Sequence, residues 1–317
     1  MKKNKKLLLA LSSSALILLT GAYAIARYMV YVILDRNSKH QESTDDLTTD
    51  PEDLKKAIIM LTGTDEWKAE VAEIAEDWNI TSYDDLKLYA RFLKNDSNKF
   101  IILCHGFTGS HREMVGRAEH FYRKGYNVLL PDARSHGSSE GTYRGMGYLE
   151  TKDIKQWIDK IIASNPEAEI VLMGQSMGAA TVMMTASTPL PTNVKCVIED
   201  CGYTGVYEEF SQQISQRYHV PSFPIMNIAN VLSKKIAGYS FKEASPVNMI
   251  KNCHLPILMI HGTEDAVVPY EFLDQLYEAA NEPKEKLTVE GAGHCMSMVI
   301  ETDLYWNTID SFIEKHL

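Results

Sequence analysis

From about Ile80 onward the chain alternates between short apolar runs and longer stretches in which apolar residues return every three or four positions. The runs "KFIILCHG", "YNVLLPDAR", "EIVLMG", "VKCVIED", "LPILMIHG" and "EKLTVEGAG" are too short to be helices. They have the composition of strands buried on both faces. Between them, helical spacing covers about Arg112 to Lys124, "YLETKDIKQWIDKIIAS", "MGAATVMMTAS", Phe272 to Ala280 and Leu304 to Lys315. This alternation predicts an α/β fold, a mostly parallel central sheet flanked by helices. Period-two spacing in "ITSYDDLKLYARFLK" predicts a hairpin around Asp84 and Asp85.

The same pattern divides the rest of the chain. "PEDLKKAIIMLTG" and "TDEWKAEVAEIAEDW" predict two helices within 51–79, the second starting at Thr64, and they open a main domain spanning 51–317. At about 201–255 the alternation stops for a segment rich in Tyr, Ser, Gln and Met, which predicts a short helical cap over a site. Residues 35–50 are polar and aperiodic and are expected to form a stalk. Ahead of them, Lys2, Lys3, Lys5 and Lys6 precede an apolar stretch from Leu7 to at least Ala26, which is bilayer length at about 1.5 Å per residue. Two readings stand for 1–34: a retained single-pass anchor, or a signal removed near the small residues Ala22 to Ala24. The amino-terminal lysines put the body on the extracytoplasmic face in the first reading, and the second leaves it secreted.

Charge and cysteine content narrow the function classes. The first 34 residues carry five basic side chains and no acid, leaving the remainder with 27 basic and 42 acidic ones. An acidic body excludes a nucleic-acid surface and leaves the lipid bilayer as the partner of the amino-terminal segment. Cys104, Cys196, Cys201, Cys253 and Cys295 have no paired metal-ligand spacing, so no metal site and no disulfide are expected.

"EIVLMGQSMGAATVMM" raises the central chemical question, because it interrupts strand material to hold one serine between two glycines. A serine becomes a nucleophile when a base takes its proton, donors stabilise the oxyanion, and a sharp turn lifts it clear of the sheet. Gly174-Gln175-Ser176-Met177-Gly178 suits such a strand-to-helix turn. The pentapeptide alone is a weak signal, and the preceding strand and following small-residue helix make it specific. For the base, His294 in "VEGAGHCMS" lies after the last strand on a loop that Gly291 and Gly293 let bend inward. His136, His105 and His261 compete: the first on a pocket-wall loop, the second bracing the "HGFTGS" loop, the third a buried strand-end histidine. Asp265 in "HGTEDAVVP" is the acid expected to orient the imidazole, with Glu264 beside it and Asp200 as a rival one strand earlier. The backbone amides of Met177 and Phe107 are the expected oxyanion donors.

Together, Gly174-Gln175-Ser176-Met177-Gly178, His105-Gly106, Asp265 and His294, in the chain order Ser, Asp, His, resemble the α/β-hydrolase superfamily over about Ile80 to Leu317. "HGFTGS", "DARSHGSSEG", "GQSMG", "HGTEDAVVP" and "GAGH" stand where that superfamily has its oxyanion, post-strand, elbow, acid and histidine loops. The cap and amino-terminal segment resemble membrane-associated bacterial hydrolases of the serine aminopeptidase-like and Bem46-like groups. The resemblance implies serine hydrolysis of a small acyl ester through an acyl-enzyme, without metal or organic cofactor. Peptide or amide hydrolysis is the alternative, with Glu208 and Glu209 in the cap as candidates for holding a substrate amino group. A non-catalytic tethered binding protein is a third reading. Tyr203, Tyr207, Phe210, Tyr218 and Phe223 form either the cap's own core or an acyl pocket.

Overall fold

The computed structural model of the protein describes residues 19–38, 50–217 and 219–317. Helix α1 covers residues 19–34, and α2 (Pro51–Thr62) and α3 (Asp65–Ile74) follow. Asp50 accepts from the amides of Glu52 and Asp53, and Thr64 accepts from Trp67 N, so each helix begins where a side-chain oxygen satisfies first-turn donors.

Eight strands form one sheet: β1 (Ala75–Thr81), β2 (Lys87–Leu93), β3 (Lys99–Cys104), β4 (Asn127–Pro131), β5 (Glu169–Gln175), β6 (Val194–Asp200), β7 (Ile257–Gly262) and β8 (Lys284–Val289). Their spatial order is β1-β2-β4-β3-β5-β6-β7-β8, with β2 antiparallel to both neighbours and the rest parallel. The crossovers are α4 (Val115–Arg123), α5 (Glu150–Ser164), α6 (Met177–Ala186) and α10 (Glu271–Ala279), with the short α11 (Ser297–Ile300) and α12 (Thr302–His316) closing the chain. The inner parallel strands are mostly apolar because both faces are covered. Ile101, Leu103, Val171, Met173 and Ile198 pack on the α2, α4 and α12 side, while Ile102, Ile170, Leu172, Val197 and Met259 pack on the α5 and α6 side.

One boundary differs from the sequence reading. The helix expected to continue to residue 79 ends at Ile74, and Ala75 to Thr81 form the first strand of the hairpin. Trp78 stacks on Phe92 of the neighbouring strand at 4.0 Å, a cross-strand contact that outweighs the helical spacing of "AEIAEDW".

The insertion at 201–255 folds as α7 (Val206–Arg217), α8 (Ile225–Ala237) and the short α9 (Pro246–Met249). A third apolar cluster lies between it and the sheet. Tyr203, Val206, Ile214, Met226, Tyr239 and Phe241 of the cap meet Met177 and Met184 of α6, and also Ala22, Ala26, Val30, Ile33 and Leu34 of α1. Helix α1 is therefore a structural part of the globular body. The expected span to Ala26 overlaps it, yet Ala22 and Ala26 are buried in protein. No helix among the described residues is long and apolar enough to cross a membrane, and residues 7–18 of the expected span lie outside them. The expected stalk also begins differently. Residues 35–38 are docked, with a bridge between Asp35 and Tyr143, Arg36 N donating to Thr142 O, and the Arg36 guanidinium donating to the Gly137 and Ser139 carbonyls. Residues 39–49 lie outside the described part of the chain.

Candidate active site

The turn from β5 into α6 explains its own glycines. Ser176 has φ 54° and ψ −115°, a strained conformation outside the usual regions, and its amide donates to Asp200 O at 2.8 Å. A Cβ on Gly174 would stand 2.1 Å from Gly178 O, and one on Gly178 would stand 2.1 Å from Cys104 O. Strand, helix and the neighbouring β3 thus approach too closely for any side chain at either position. Glycine at both places is a packing requirement that holds one hydroxyl at the carboxyl end of the sheet.

His294, on the loop after β8, faces that hydroxyl. Its Nε2 lies 3.0 Å from Ser176 Oγ and its Nδ1 lies 2.7 Å from Asp265 Oδ2. The other carboxylate oxygen of Asp265 accepts from the amides of Val267 at 2.9 Å and Val268 at 2.8 Å, so the acid is fixed by its own loop. All three side chains are buried. Burial alone would raise the pKa of Asp265, but the positive charge and hydrogen bonds of His294 and His261 outweigh it and hold the carboxyl below its ordinary range. For His294, burial alone would lower the pKa. The Asp265 carboxylate beside it prevails, and the imidazole stands well above its usual value.

The rival residues have other partners. Asp200 is fully buried and accepts from Arg117 Nη2 at 3.0 Å and Tyr305 OH at 2.9 Å, in a group that also ties Arg117 to Gln175. It braces β6 against α4 and α12. Glu264 adjoins Asp265, but its backbone amide bonds Ala292 O and no contact links its side chain to His294. His105 accepts from Ala133 N through Nε2 at 3.0 Å and holds Gly106 O through Nδ1 at 2.7 Å, bracing the "HGFTGS" loop as expected. Burial lowers its pKa and, together with the charge of His105, that of His136, which stacks edge-on against it. His261 is a strand-end histidine with one feature its position did not suggest: its Nε2 lies 3.2 Å from Asp265 Oδ2 as well as 2.9 Å from Val268 O. The i, i+4 spacing in "HGTED" was the available signal, and it is too common to read without the loop's curvature.

The expected oxyanion donors lie on two elements. Met177 is the first residue of α6, where amides have no intrahelical partner. Gly106 comes close enough that a Cβ there would lie 3.6 Å from Ser176 Cβ, and Phe107 shares a cavity wall with Ser176.

That cavity, of about 430 Å³, opens over Ser176 between cap and sheet. Tyr203 and Phe210 of the cap line it, whereas the Tyr207 hydroxyl pairs with Asn227 within the cap and Phe223 is 74% exposed. Tyr218 lies outside the described residues. Of the acidic pair, Glu208 is exposed and Glu209 faces the cavity, bonded to Gln213. The cavity also has a wall that sequence reasoning missed: Ile25, Tyr28, Met29, Val32 and Ile33 of α1. A further tertiary contact joins Cys201 Sγ and Cys295 Sγ at 3.5 Å, and with His294 they bring three metal-ligating atoms within 4.8 Å of one another. Because both nitrogens of His294 already face Asp265 and Ser176, a metal there would have to displace one of them. Burial, reinforced by the Cys295 contact, pushes the Cys201 thiol well above its ordinary pKa.

Comparison with known proteins meets this geometry. A family model described as the alpha/beta hydrolase fold matches residues 99–219, and a TAP-like model matches 229–315. The chain has the α/β-hydrolase fold. Among relatives, the uncharacterised protein YqkD of Bacillus subtilis is 29% identical over 232 residues, covering 73% of this chain and 76% of YqkD. A zebrafish protein named lysophosphatidylserine lipase ABHD12 is 28% identical over 220 residues, 65% of this chain and 53% of that one. An esterase of Pyrococcus furiosus shares the fold with a TM-score of 0.65 at 23% identity, covering 78% of this chain and 93% of the esterase. Residues 19–38 of this chain lie outside both matched spans.

Proposed function

We propose that the protein is a serine hydrolase of carboxylic esters, with Ser176 as nucleophile, His294 as general base and acid, and Asp265 as the group that orients the imidazole. The observation that carries this reading is the continuous chain from Ser176 Oγ through His294 to Asp265, with contacts of 3.0 and 2.7 Å. In the cycle, Ser176 Oγ attacks the ester carbonyl and its proton passes to His294 Nε2. The oxyanion rests on the Met177 and Phe107 amides. Collapse breaks the C–O bond, and the departing alcohol takes the proton from His294. Water then repeats the attack, freeing the acid and restoring the Ser176 hydroxyl. None of these steps calls on a metal or organic cofactor.

The lipase and esterase names of ABHD12 and the Pyrococcus protein agree with an ester substrate. Turnover of p-nitrophenyl butyrate by the purified chain, and its loss by at least about 10³-fold in Ser176→Ala, is the expected result. Undiminished activity in that variant removes the assigned nucleophile. A fluorophosphonate probe that fails to modify Ser176 in folded protein would instead favour a binding protein without catalysis.

Amide hydrolysis is kept as a second reading for one reason: the Glu209 carboxylate faces an otherwise largely apolar cavity, where it suits a substrate ammonium. Aminoacyl p-nitroanilides cleaved faster than the matched esters would favour it. We propose, too, that the basic and apolar segment ahead of α1 associates the protein with a membrane on its extracytoplasmic side, in keeping with Lys2 to Lys6. Recovery of the protein in the soluble cytoplasmic fraction of cells would sink that placement.

A further inference from the structure

Helix α1 has two apolar faces with different tasks. Ala22, Ala26, Val30, Ile33 and Leu34 are buried against the cap, and the two small alanines let the helix lie close to it. Ile25, Met29 and Val32, spaced i, i+4 and i+7 on the adjacent face, look into the cavity over Ser176. From Ile25 to Val32 the helix presents about 10 Å of apolar wall. Opposite it stand Phe107, Phe210, Ile214 and Val268. Polar groups at the cavity are few, chiefly Ser176 and the Glu209-Gln213 pair, and Gln213 spends its amide on Glu209 and on Val267 O.

The helix is held at its carboxyl end by a charge. Arg144 is buried, and its Nη1 donates to the terminal carbonyls of Val32 and Ile33 and to Ser38 Oγ, while its backbone amide donates to Leu34 O. A guanidinium at a helix carboxyl terminus satisfies orphan carbonyls and meets the negative end of the dipole. The same guanidinium lies 5.0 Å over the Phe107 ring, so the clamp on α1 is in contact with the loop that faces Ser176.

We propose that α1 is the acyl-chain wall of the active-site cleft, and that Ile25, Met29 and Val32 select esters of medium- to long-chain unbranched fatty acids. This rests on the ester-hydrolase reading and adds to it a substrate class and three specificity-determining residues outside the spans matched by the family models. The chemistry is desolvation: an acyl chain laid along this face leaves water, and each buried methylene raises kcat/KM by up to about fourfold. Acetate and butyrate esters are too short to use the wall.

The test compares kcat/KM for p-nitrophenyl butyrate, octanoate and laurate in the full chain and in Met29→Trp, Val32→Trp and Ile25→Glu. Alongside runs the rate at which Ser176 is modified by short- and long-alkyl fluorophosphonates. The parent is expected to prefer octanoate or laurate over butyrate, and each variant to lower the long-to-short ratio by about tenfold or more. Ile25 is 45% exposed, so its substitution keeps the fold if a tryptophan does not. Tyr23→Ala, on the exposed side of the helix and away from the cavity, is the control that keeps the parent ratio. A parent that modifies Ser176 with both probes and cleaves esters, but without preference for the longer chain, overturns the acyl wall and leaves the hydrolase reading standing. Ratios unchanged within twofold in folded variants do the same. A parent that reacts with neither probe and cleaves no ester removes the hydrolase reading, and the wall with it.

Discussion

Asp200 and Asp265 are both buried carboxylates at strand ends, and the difference between them is which cation each one meets. Asp265 faces the imidazole that gains and loses a proton in the proposed cycle, while Asp200 faces Arg117, which keeps its charge. Asp265→Asn is therefore expected to lower kcat by about 10⁴-fold with the fold intact. Asp200→Asn should spare the chemistry per folded molecule but destabilise by about 3–5 kcal/mol, since it leaves Arg117 buried without its partner. Steady-state kinetics beside urea melts separates the two, and the opposite pairing of outcomes would exchange their roles. The raised pKa of His294 has a sign that can be checked as well. The base must be neutral, so the acid limb of the kcat/KM profile should lie above the ordinary histidine value of about 6.5, and activity should fall as pH drops through it. In Asp265→Asn the carboxylate that holds the proton on His294 is gone, and the limb should move to lower pH.

Secondary-structure elements explain why those residues meet. The β5–α6 turn works because α6 passes so near β3 that residue 178 has no room for a side chain. Gly178→Ala must push α6 away from the Cys104 carbonyl, at a cost of about 1–3 kcal/mol or more, and should reduce activity together with stability in a thermal melt. The amino-terminal helix combines an apolar face buried along its length with a polar clamp at its carboxyl end. Arg144→Ala removes the carbonyl clamp on α1 and the cation over Phe107, so limited proteolysis should cut within 19–38 well before the sheet unfolds. Equal protease resistance in parent and variant would show that the apolar face alone holds the helix.

At the scale of the whole molecule, the sheet with helices on both faces is a scaffold whose carboxyl edge collects loops from distant parts of the chain. Ser176 and His294 are 118 residues apart in sequence and 3.0 Å apart across the site. The cap is not self-sufficient. Its apolar face is completed by α1 on one side and α6 on the other, so a chain that begins at residue 50 exposes Tyr203, Val206 and Phe241 and should melt at lower temperature than the full chain. An unchanged melting temperature would mean that α1 adds no stability to the body.

The alternation of buried strand runs with amphipathic helices determined the α/β class, and the close packing demanded by two glycines determined where Ser176 sits. Both are local properties, carried by consecutive residues and their periodicity. The position of His294 and the two candidate acids was legible for the same reason, as loops that follow strands. Contacts between residues far apart in sequence were decided only by the tertiary structure: which aspartate meets the imidazole, the His261 bond to Asp265, the Cys201–Cys295 approach, and the cut from helix to strand at Ala75. The amino-terminal segment shows the distinction most plainly. Its residues read as apolar in sequence, but hydrophobicity has no direction, and only the packed fold shows that residues 19–34 turn toward the cap and cleft.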